Sequence, residues 1–270
     1  MRQSGLLQQK KVLITAGASQ IGSACASLFA AQGAVVAIAD KDREKGECLR
    51  DSLVSHAEVC VFYAVDLCSK AAVALLCDEY LADFGAPDVW LNCAGVCHPA
   101  YIDEQEEAPM EEMMTLNLLS AFRIMKRLAE PMKQNHGGSV IHLASDYAIS
   151  GANGLSVYAA TKGGLYAMAN AFAMDYAAYG IRVNSILPGV SLASCGDRLE
   201  REIGSSEAER FWQRSQLLPR RGRVDEIADV ALFLASDMSK LLNGEALQVN
   251  GGQNIIAHNQ VFREHWGAGT

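Results

Sequence analysis

Tyr158 and Lys162 lie four positions apart, the spacing that places two side chains on one face of a helix. A phenol has a pKa of about 10 and is a poor base at neutral pH, but a neighbouring ammonium group favours the phenolate and lowers that pKa. Ser145 directly follows the apolar run 140–144, which is typical of a buried strand. Its hydroxyl would therefore lie where open α/β sheets bind ligands. The three residues predict proton transfer at a substrate oxygen, in which serine holds the oxygen, tyrosine moves the proton and lysine tunes the tyrosine.

Short apolar runs alternate with helix-like segments and indicate the elements that must position these residues. The predicted strands cover residues 11–16, 34–39, 59–65, 88–91, 140–144, 181–187 and 245–249. The predicted helices follow Gly22, cover 42–54, run from a Ser69 cap towards 84, cover 110–133, carry Tyr158 with Lys162, and cover 224–235. This alternation predicts a single α/β domain: a Rossmann-like, doubly wound parallel sheet of about seven strands with helices on both faces.

Over residues 11–252 the chain resembles the short-chain dehydrogenase/reductase family. The resemblance rests on the strand-end serine, on the Tyr-x-x-x-Lys pair and on an early glycine-bearing strand, turn and helix. It implies reversible hydride transfer between a nicotinamide cofactor and a secondary alcohol or ketone. It also implies that Asn117 supports a water-borne proton path to Lys162, so the expected catalytic residues are Asn117, Ser145, Tyr158 and Lys162.

The first strand, turn and helix can bind a pyrophosphate through backbone N–H groups and a helix N-terminus. Where the family has Thr-Gly-x-x-x-Gly-x-Gly, residues 15–22 read Thr-Ala-Gly-Ala-Ser-Gln-Ile-Gly, so of the motif glycines only Gly22 is in place. We expect Ala16 to be a mild departure. Gln20 is expected to be the more serious one, because its Cβ can crowd the phosphates or require strained dihedral angles. Gly17 can supply some of the lost freedom.

Asp40 ends the second predicted strand about twenty residues after the glycine turn. A carboxylate there accepts both ribose hydroxyls and repels a 2′-phosphate, so we expect NAD and regard NADP as the weaker candidate. The neighbouring Lys41 and Arg43 are expected to be solvated. By resemblance Asp66 contacts the adenine, although the alternative that it only starts the following turn stays open. The expected cofactor-binding residues are Gly17, Ser19, Gln20, Ile21, Gly22, Asp40, Asp66, Leu67, Asn92, Ala94, Gly95, Tyr158, Lys162, Pro188, Gly189 and Val190.

Two later segments resemble family motifs with substitutions. Residues 92–95 read Asn-Cys-Ala-Gly where the family has Asn-Asn-Ala-Gly. The Pro-Gly pair at 188–189 matches the family's turn beneath the nicotinamide. Ala193 occupies the place of a threonine that usually bonds the carboxamide, so Ser191 or Ser194 would have to replace it.

The substrate is the least determined part of this interpretation. His98, Asp146 and Tyr147 flank the expected crevice and can hydrogen-bond hydroxyl groups, which favours a polyol, sugar or hydroxy acid. His98 could instead be a satisfied loop histidine and Asp146 a helix cap. Two alternatives remain: a 3-oxoacyl carrier-protein reductase, and a non-catalytic nucleotide-binding regulator, which the motif departures favour.

Composition excludes several classes of protein. The 270 residues carry a net charge of −8, which argues against nucleic acid as a partner. We expect no membrane span, because uninterrupted apolar stretches of about 18 residues are missing, and a flexible, polar segment at residues 1–10 without a signal core. The eight scattered cysteines are expected to be reduced, so the protein is expected to be cytoplasmic. Cys93, Cys97 and His98 lie close in sequence but lack a completing cluster, so we expect no metal.

Two segments are expected to close the substrate pocket or join subunits. Residues 191–216 lack a strand pattern and are interpreted as a substrate lid, with a surface helical insertion as the alternative. By resemblance we expect a homotetramer that pairs through helices at 110–133 and 157–179. The apolar tail, 253–270, is expected at a subunit contact, the alternative being that it folds over its own lid.

Overall fold

Seven strands form one sheet in a computed structural model that describes residues 5–54, 60–189 and 204–258. The strands are β1 (Lys11–Thr15), β2 (Val35–Asp40), β3 (Cys60–Ala64), β4 (Val89–Asn92), β5 (Gly138–Leu143), β6 (Ile181–Pro188) and β7 (Ala246–Val249). Their order is β3-β2-β1-β4-β5-β6-β7, and every neighbouring pair is parallel. The predicted sheet is confirmed, and its order reverses between β1 and β4, where open α/β sheets form a ligand crevice.

Helices cover both faces of the sheet because its strands are apolar on both sides. They are α1 (Gln20–Ala31), α2 (Arg43–Leu53), α3 (Lys70–Phe84), α4 (Glu107–Met114), a π-helical turn (Thr115–Leu119), α5 (Ser120–Gln134), α6 (Ser156–Tyr176), α7 (Ser205–Arg214) and α8 (Val224–Ala235). One apolar cluster packs α1, α2 and α8 against the sheet, and the other packs α3, α5 and α6 against the opposite face. The strands that end at the carboxyl edge of the sheet are thus held in place by helices packed on both faces.

Short polar side chains set where the first three helices begin. Ser19, Asp42 and Ser69 precede α1, α2 and α3, and each accepts a hydrogen bond from a backbone N–H in the first turn. Such caps satisfy donors that the helix itself leaves without partners. The Ser69 cap predicted from the sequence is therefore confirmed.

The predicted helix over 110–133 is longer than expected and is interrupted. A π-helical turn separates α4 from α5, and Pro131 lies inside the last turns of α5. A π turn adds a residue to the helical ladder and often marks a functional position. Here it carries Asn117.

The two ends of the chain and the lid are described only in part. The prediction of a flexible N-terminus does not hold for residues 5–10, because Leu7 is fully buried and its backbone N–H donates to the Gln32 carbonyl. In the predicted lid, α7 is described and residues 191–203 lie outside the described ranges. The tail begins as a 3₁₀ helix at Gln253–His258, and residues 259–270 also lie outside.

Candidate active site

Lys162 lies beneath the phenol ring of Tyr158 on α6. Its Nζ is 5.9 Å from the centre of that ring and donates hydrogen bonds to the carbonyl oxygens of Leu143 at 2.8 Å and Ala94 at 3.4 Å. These acceptors sit at the end of β5 and just after β4, so the ammonium is held between two strand ends and the catalytic helix. Main-chain acceptors fix the position of the charge independently of any other side chain.

Burial makes the Lys162 charge responsive to its surroundings. The side chain is 3% exposed, and desolvation lowers the pKa of Lys162 to about 8, while the thiols of Cys93 and Cys97 act in the opposite direction. A buried ammonium favours the charged form of a nearby phenol more strongly than a solvated one would. The predicted pairing of tyrosine and lysine is therefore present in the structure.

Asn117 locks the π turn to α6 through a fully buried amide. Its Oδ1 accepts from the Val96 backbone N–H at 2.8 Å, and its Nδ2 donates to the Val96 carbonyl at 2.9 Å and to Thr161 Oγ1 at 3.0 Å. The Thr161 hydroxyl in turn donates to the Tyr158 carbonyl at 2.8 Å. The asparagine thus ties the loop after β4 to the helical turn that presents the tyrosine.

Ser145 sits where β5 gives way to a short 3₁₀ turn, Asp146–Ala148. It is 7% exposed, has an extended backbone, and its Oγ accepts from the Tyr147 backbone N–H at 3.2 Å. A hydroxyl that already accepts one bond keeps its own proton available for a substrate oxygen. The turn rests on α6, where a Cβ at Gly163 would come within 3.2 Å of the Ala148 carbonyl.

The glycine turn corrects one expectation about strain. Ala16 adopts a left-handed φ of 54°, whereas Gln20 is an ordinary first residue of α1 and is absent from the left-handed residues found in the described ranges. Ala16 therefore carries the backbone strain that was expected at Gln20, and the expectation that the Gln20 Cβ crowds the phosphates stays a prediction. The left-handed conformation arises because the chain must turn sharply between β1 and α1.

The turn nevertheless fits a dinucleotide. A Cβ at Gly22 would lie 2.4 Å from the Ala16 carbonyl oxygen, so only glycine permits this close approach. Within the described residues, the backbone N–H groups of Gln20 and Ile21 have no acceptor, as expected for the first turn of a helix. Such groups bind phosphate oxygens. Ser19 caps this turn rather than pointing away from it.

Asp40 and Asp66 lie at adjacent strand ends. Asp40 accepts backbone N–H bonds from Ala18 and from Asp42, each at 3.0 Å, so its carboxylate reaches across to the glycine turn. Asp66 is exposed and accepts from the Cys68 N–H at 2.9 Å, which makes it the start of a turn. Leu67 beside it is buried. The adenine role of Asp66 stays a prediction.

A row of buried polar groups crosses four strands below the site. The Thr15 hydroxyl donates to Asn92 Oδ1 at 3.0 Å, and Asn92 Nδ2 lies 3.3 Å from His142 Nδ1. On the next strand, β6, Ser185 is paired with His142 in the register of the sheet. Since the Asn92 oxygen also accepts from the Ala94 N–H, its nitrogen must donate, and His142 is neutral. Burial, with a contribution from Lys162, lowers the pKa of His142 to about 3.

The remaining predicted cofactor residues line the same edge. A Cβ at Gly95 would lie 2.8 Å from Lys162 Nζ, so this glycine leaves the lysine room. Gly189 follows β6 and donates its N–H to the Val249 carbonyl at 3.1 Å. Val190 and Ala193 lie outside the described residues.

The predicted substrate residues are placed differently from one another. His98 Nε2 is 2.8 Å from the Glu112 carboxylate, so this loop histidine has a partner of its own. Asp146 is buried and accepts from the Asn250 side chain at 3.1 Å. Tyr147 is partly exposed in the same turn. The described residues contain no group of three or more His, Cys, Asp or Glu side chains placed to bind a metal.

Sequence reasoning missed Thr161 and His142. Thr161 lies inside the Tyr-x-x-x-Lys pair, three residues after Tyr158, and a threonine in a helix interior often bonds a carbonyl in the preceding turn. This tendency of helical threonines is the feature of the sequence that could have indicated a role for Thr161. His142 interrupts an apolar strand, and a polar residue in a strand buried on both faces indicates a polar partner across the sheet.

Comparison with known proteins agrees with this geometry. A family model described as enoyl-(acyl carrier protein) reductase matches residues 15–254. Relatives include a 3-oxoacyl-[acyl-carrier-protein] reductase of Chlamydia trachomatis, 32% identical over 92% of this chain and 99% of that protein. D-threitol dehydrogenase of Mycolicibacterium smegmatis is 31% identical over 92% of this chain and 94% of that protein. The solved structure of L-sorbose reductase from Gluconobacter frateurii, complexed with NADPH and L-sorbose, superposes with a TM-score of 0.86 at 26% identity, covering 92% and 97% of the two chains.

The chain therefore belongs to the short-chain dehydrogenase/reductase family. It is an oxidoreductase that transfers a hydride between a nicotinamide dinucleotide and an alcohol or ketone. Within the described ranges, the helices fall short of the length and apolarity needed to cross a bilayer.

Proposed function

We propose that this enzyme interconverts a small polyhydroxylated secondary alcohol and its ketone with NAD(H), using Tyr158 as the proton-transfer residue. The observation that carries the proposal is the buried Lys162 ammonium, held by two main-chain carbonyls beneath the Tyr158 ring. When bound, the nicotinamide ring would accept or supply the hydride. The chain's own residues account for the proton.

In the oxidation direction, Tyr158 takes the proton of the substrate hydroxyl, and in reduction it returns a proton to the same oxygen. Ser145 donates a hydrogen bond to that oxygen and fixes its position between the strand end and α6. Lys162 favours the phenolate through its charge. Asn117 and Thr161 hold the helix turn so that the phenol and the serine hydroxyl keep their separation.

Asp40 supports NAD as the preferred cofactor. Its carboxylate lies at the end of β2 beside the glycine turn, where it would accept the ribose hydroxyls and repel a 2′-phosphate. The cations near Asp40 form ion pairs with other carboxylates or are exposed to solvent: Arg43 pairs with Glu47, and Lys45 pairs with Asp42. The sorbose reductase structure contains NADPH, so the two cofactors must be compared directly on this chain.

The substrate class rests on the polar character of the crevice and on two relatives named for polyols or sugars. Asp146 and Tyr147 follow Ser145 in the same turn, and the loop residue His98 bonds Glu112, so we infer a role in substrate binding for all three from the sequence resemblance. The Chlamydia trachomatis relative makes a 3-oxoacyl thioester the second candidate substrate. A non-catalytic regulator is the third possibility, based on the altered residues Gln20, Cys93 and Ala193.

One experiment separates these functions. NAD and NADP are titrated separately by quenching of the three tryptophans, and turnover is measured on polyols, simple secondary alcohols and an acetoacetyl thioester. We expect tighter binding of NAD, turnover of polyols, and a fall in turnover of about 10³-fold in Tyr158→Phe, with a far smaller loss of cofactor binding. Tighter binding of NADP would refute the cofactor assignment. Equal turnover by the variant would refute the mechanism.

We also propose a homotetramer in the cytoplasm. Exposed apolar side chains occur on this part of the molecule at Met114, Leu119, Phe122 and Met174, and the rings of Phe122 and Phe172 join α5 to α6 at 5.8 Å. Exposed apolar side chains on neighbouring helices favour contact with a second copy of the same helices. Residues 253–270 would then pack at a subunit contact. Light scattering that gives a monomer at micromolar concentration would refute the assembly, and Met174→Glu should weaken it.

A further inference from the structure

A cavity of about 560 Å³ opens at the amino edge of the sheet, away from the catalytic residues. Its walls include Gly138 at the start of β5 and Arg182 near the start of β6. Ser145 follows Gly138 by seven residues, which is about 20 Å along an extended strand. The volume lies within the range of small-molecule sites. A substrate held at Ser145 therefore leaves this cavity open to a second ligand.

Two loops in close contact shape one wall of the cavity. The Gly138 N–H donates to the Gly180 carbonyl at 3.3 Å, and a Cβ at Gly137 would lie 2.6 Å from the same oxygen. His136, just before them, has a left-handed φ of 60°, which is costly for a residue with a side chain. Strain of this kind persists where packing holds the backbone, and it concentrates at functional sites. The wall is therefore preformed and does not depend on a ligand for its shape.

Cations outnumber carboxylates among the charged residues that line the cavity, which are Lys10, Arg182 and Lys240 against Asp88 and Asp237. The chain as a whole has a net charge of −8, so this excess is local. Asp237 Oδ1 lies 3.3 Å from Lys10 Nζ, and its Oδ2 lies 3.1 Å from Lys240 Nζ. Asp88 Oδ2 instead accepts a main-chain N–H bond at 2.8 Å. One carboxylate is therefore shared between two ammonium groups.

Arg182 is half-buried, and among the described residues it forms no ion pair. Its Nη1 donates to the Leu242 carbonyl at 3.3 Å and its Nη2 to the Leu234 carbonyl at 2.9 Å. Carbonyl oxygens satisfy hydrogen bonds but carry no net charge. Burial lowers the pKa of Arg182, and Asp237 acts in the opposite direction. Because a partly buried charge without a counter-ion is costly, an anion in the cavity would stabilise this guanidinium.

We propose that this cavity binds a small polyanion, a metabolite with two or more carboxylate or phosphate groups, through Lys10, Arg182 and Lys240. The Lys10 and Lys240 side chains are 33% and 72% exposed, so both can turn from Asp237 towards a ligand. Arg182 stays fixed by its two carbonyl bonds and donates its other N–H groups to the ligand. The assignment goes beyond the oxidoreductase activity, since the anion takes no part in hydride transfer.

The test uses citrate and inorganic pyrophosphate as probes on the full-length enzyme, saturated with nicotinamide dinucleotide so that the glycine turn is occupied. We expect at least one probe to bind in isothermal titration calorimetry. At about ten times its Kd that probe should raise Tm by about 3 °C, whereas acetate at matched ionic strength should not. Tighter binding of citrate would assign carboxylate groups to the ligand, and tighter binding of pyrophosphate would assign phosphate groups. Absence of binding by both probes would overturn the inference and leave the proposed function standing.

Two variants of exposed residues give opposite expectations for the probe that binds. Lys240→Ala removes a cation and should raise its Kd about tenfold. Asp237→Asn removes the carboxylate that competes with the anion for the two lysines, and should lower the Kd. Lys126→Ala on α5 is the matched control and should leave the Kd unchanged. Changes of the same sign in Lys240→Ala and Asp237→Asn, or no change in either, would place the probe elsewhere and overturn the inference.

Discussion

The proton-transfer site and the glycine turn lie at the same edge of the sheet but are built in different ways. Lys162 and Asn117 are buried side chains, and each is fixed by hydrogen bonds to named main-chain atoms. The glycine turn instead presents backbone N–H groups, and its departures from the family motif fall on side chains that the phosphates need not contact. The catalytic residues of this chain match the family motif, whereas the glycine turn departs from it. Proton transfer depends on particular side chains, and phosphate binding depends on the shape of the backbone.

Replacing Lys162 should have the largest effect. In Lys162→Met the charge that favours the phenolate is lost, so we expect kcat/KM to fall by about 10³-fold, within the range of general acid–base catalysis. Cofactor binding should change far less, as measured by tryptophan quenching. Lys126→Met, an exposed change on α5, is the matched control and should leave activity unaltered. A fall of less than tenfold in Lys162→Met would contradict the role of the buried charge.

The next test concerns the polar row beneath Lys162. The folded-state pKa of His142 is about 3, below the ordinary value of 6.5, so between these values the unfolded chain binds a proton that the folded chain does not. The contribution of His142 to the free energy of unfolding should therefore be fully present above pH 6.5 and be lost as the pH falls towards 3, by about 5 kcal/mol at most. His142→Asn should abolish this loss in urea unfolding at pH 7 and pH 5.

Exposed His136 provides the control, because His136→Asn should leave the acid dependence of stability as it is in the wild type. If both variants behave alike, the burial of His142 does not set the acid stability. Such a result would also weaken the contrast between a side-chain-dependent site and a backbone-dependent turn.

A smaller effect is expected at Thr161, which acts through its neighbours. Thr161→Val removes the acceptor for Asn117 Nδ2 and the donor to the Tyr158 carbonyl. We expect kcat/KM to fall about tenfold, mainly in kcat, which corresponds to roughly 1.4 kcal/mol. Thr161→Ser should restore the rate because it keeps the hydroxyl. Equal rates in the valine and serine variants would show that packing, and not the hydrogen bond, is what matters.

Sequence patterns predicted the sheet well and the local strain poorly. The seven strands followed from apolar runs, and Tyr158 with Lys162 followed from a helical spacing. The π turn at Asn117 was not predictable from periodicity, because one added residue changes the phase of a helix without changing its composition. The dihedral strain expected at Gln20 lies at Ala16 instead, because a motif gives residue types, whereas strain depends on the dihedral angle that each position adopts.

The smallest expected effects are at Ala16 and Gln20, where substitutions test directly which of the two residues carries the dihedral strain of the glycine turn. Ala16 has a φ of 54°, a conformation that glycine adopts without the steric cost of a Cβ, so Ala16→Gly should raise the free energy of unfolding by about 1 kcal/mol. Gln20 begins α1 with an ordinary backbone, so Gln20→Gly should lower it by about 0.5–1 kcal/mol through lost helix propensity. Urea unfolding of the two variants gives changes of opposite sign if the strain lies at Ala16. A gain in Gln20→Gly together with a loss in Ala16→Gly would return the strain to Gln20, and the turn would then depend on side chains as the catalytic site does.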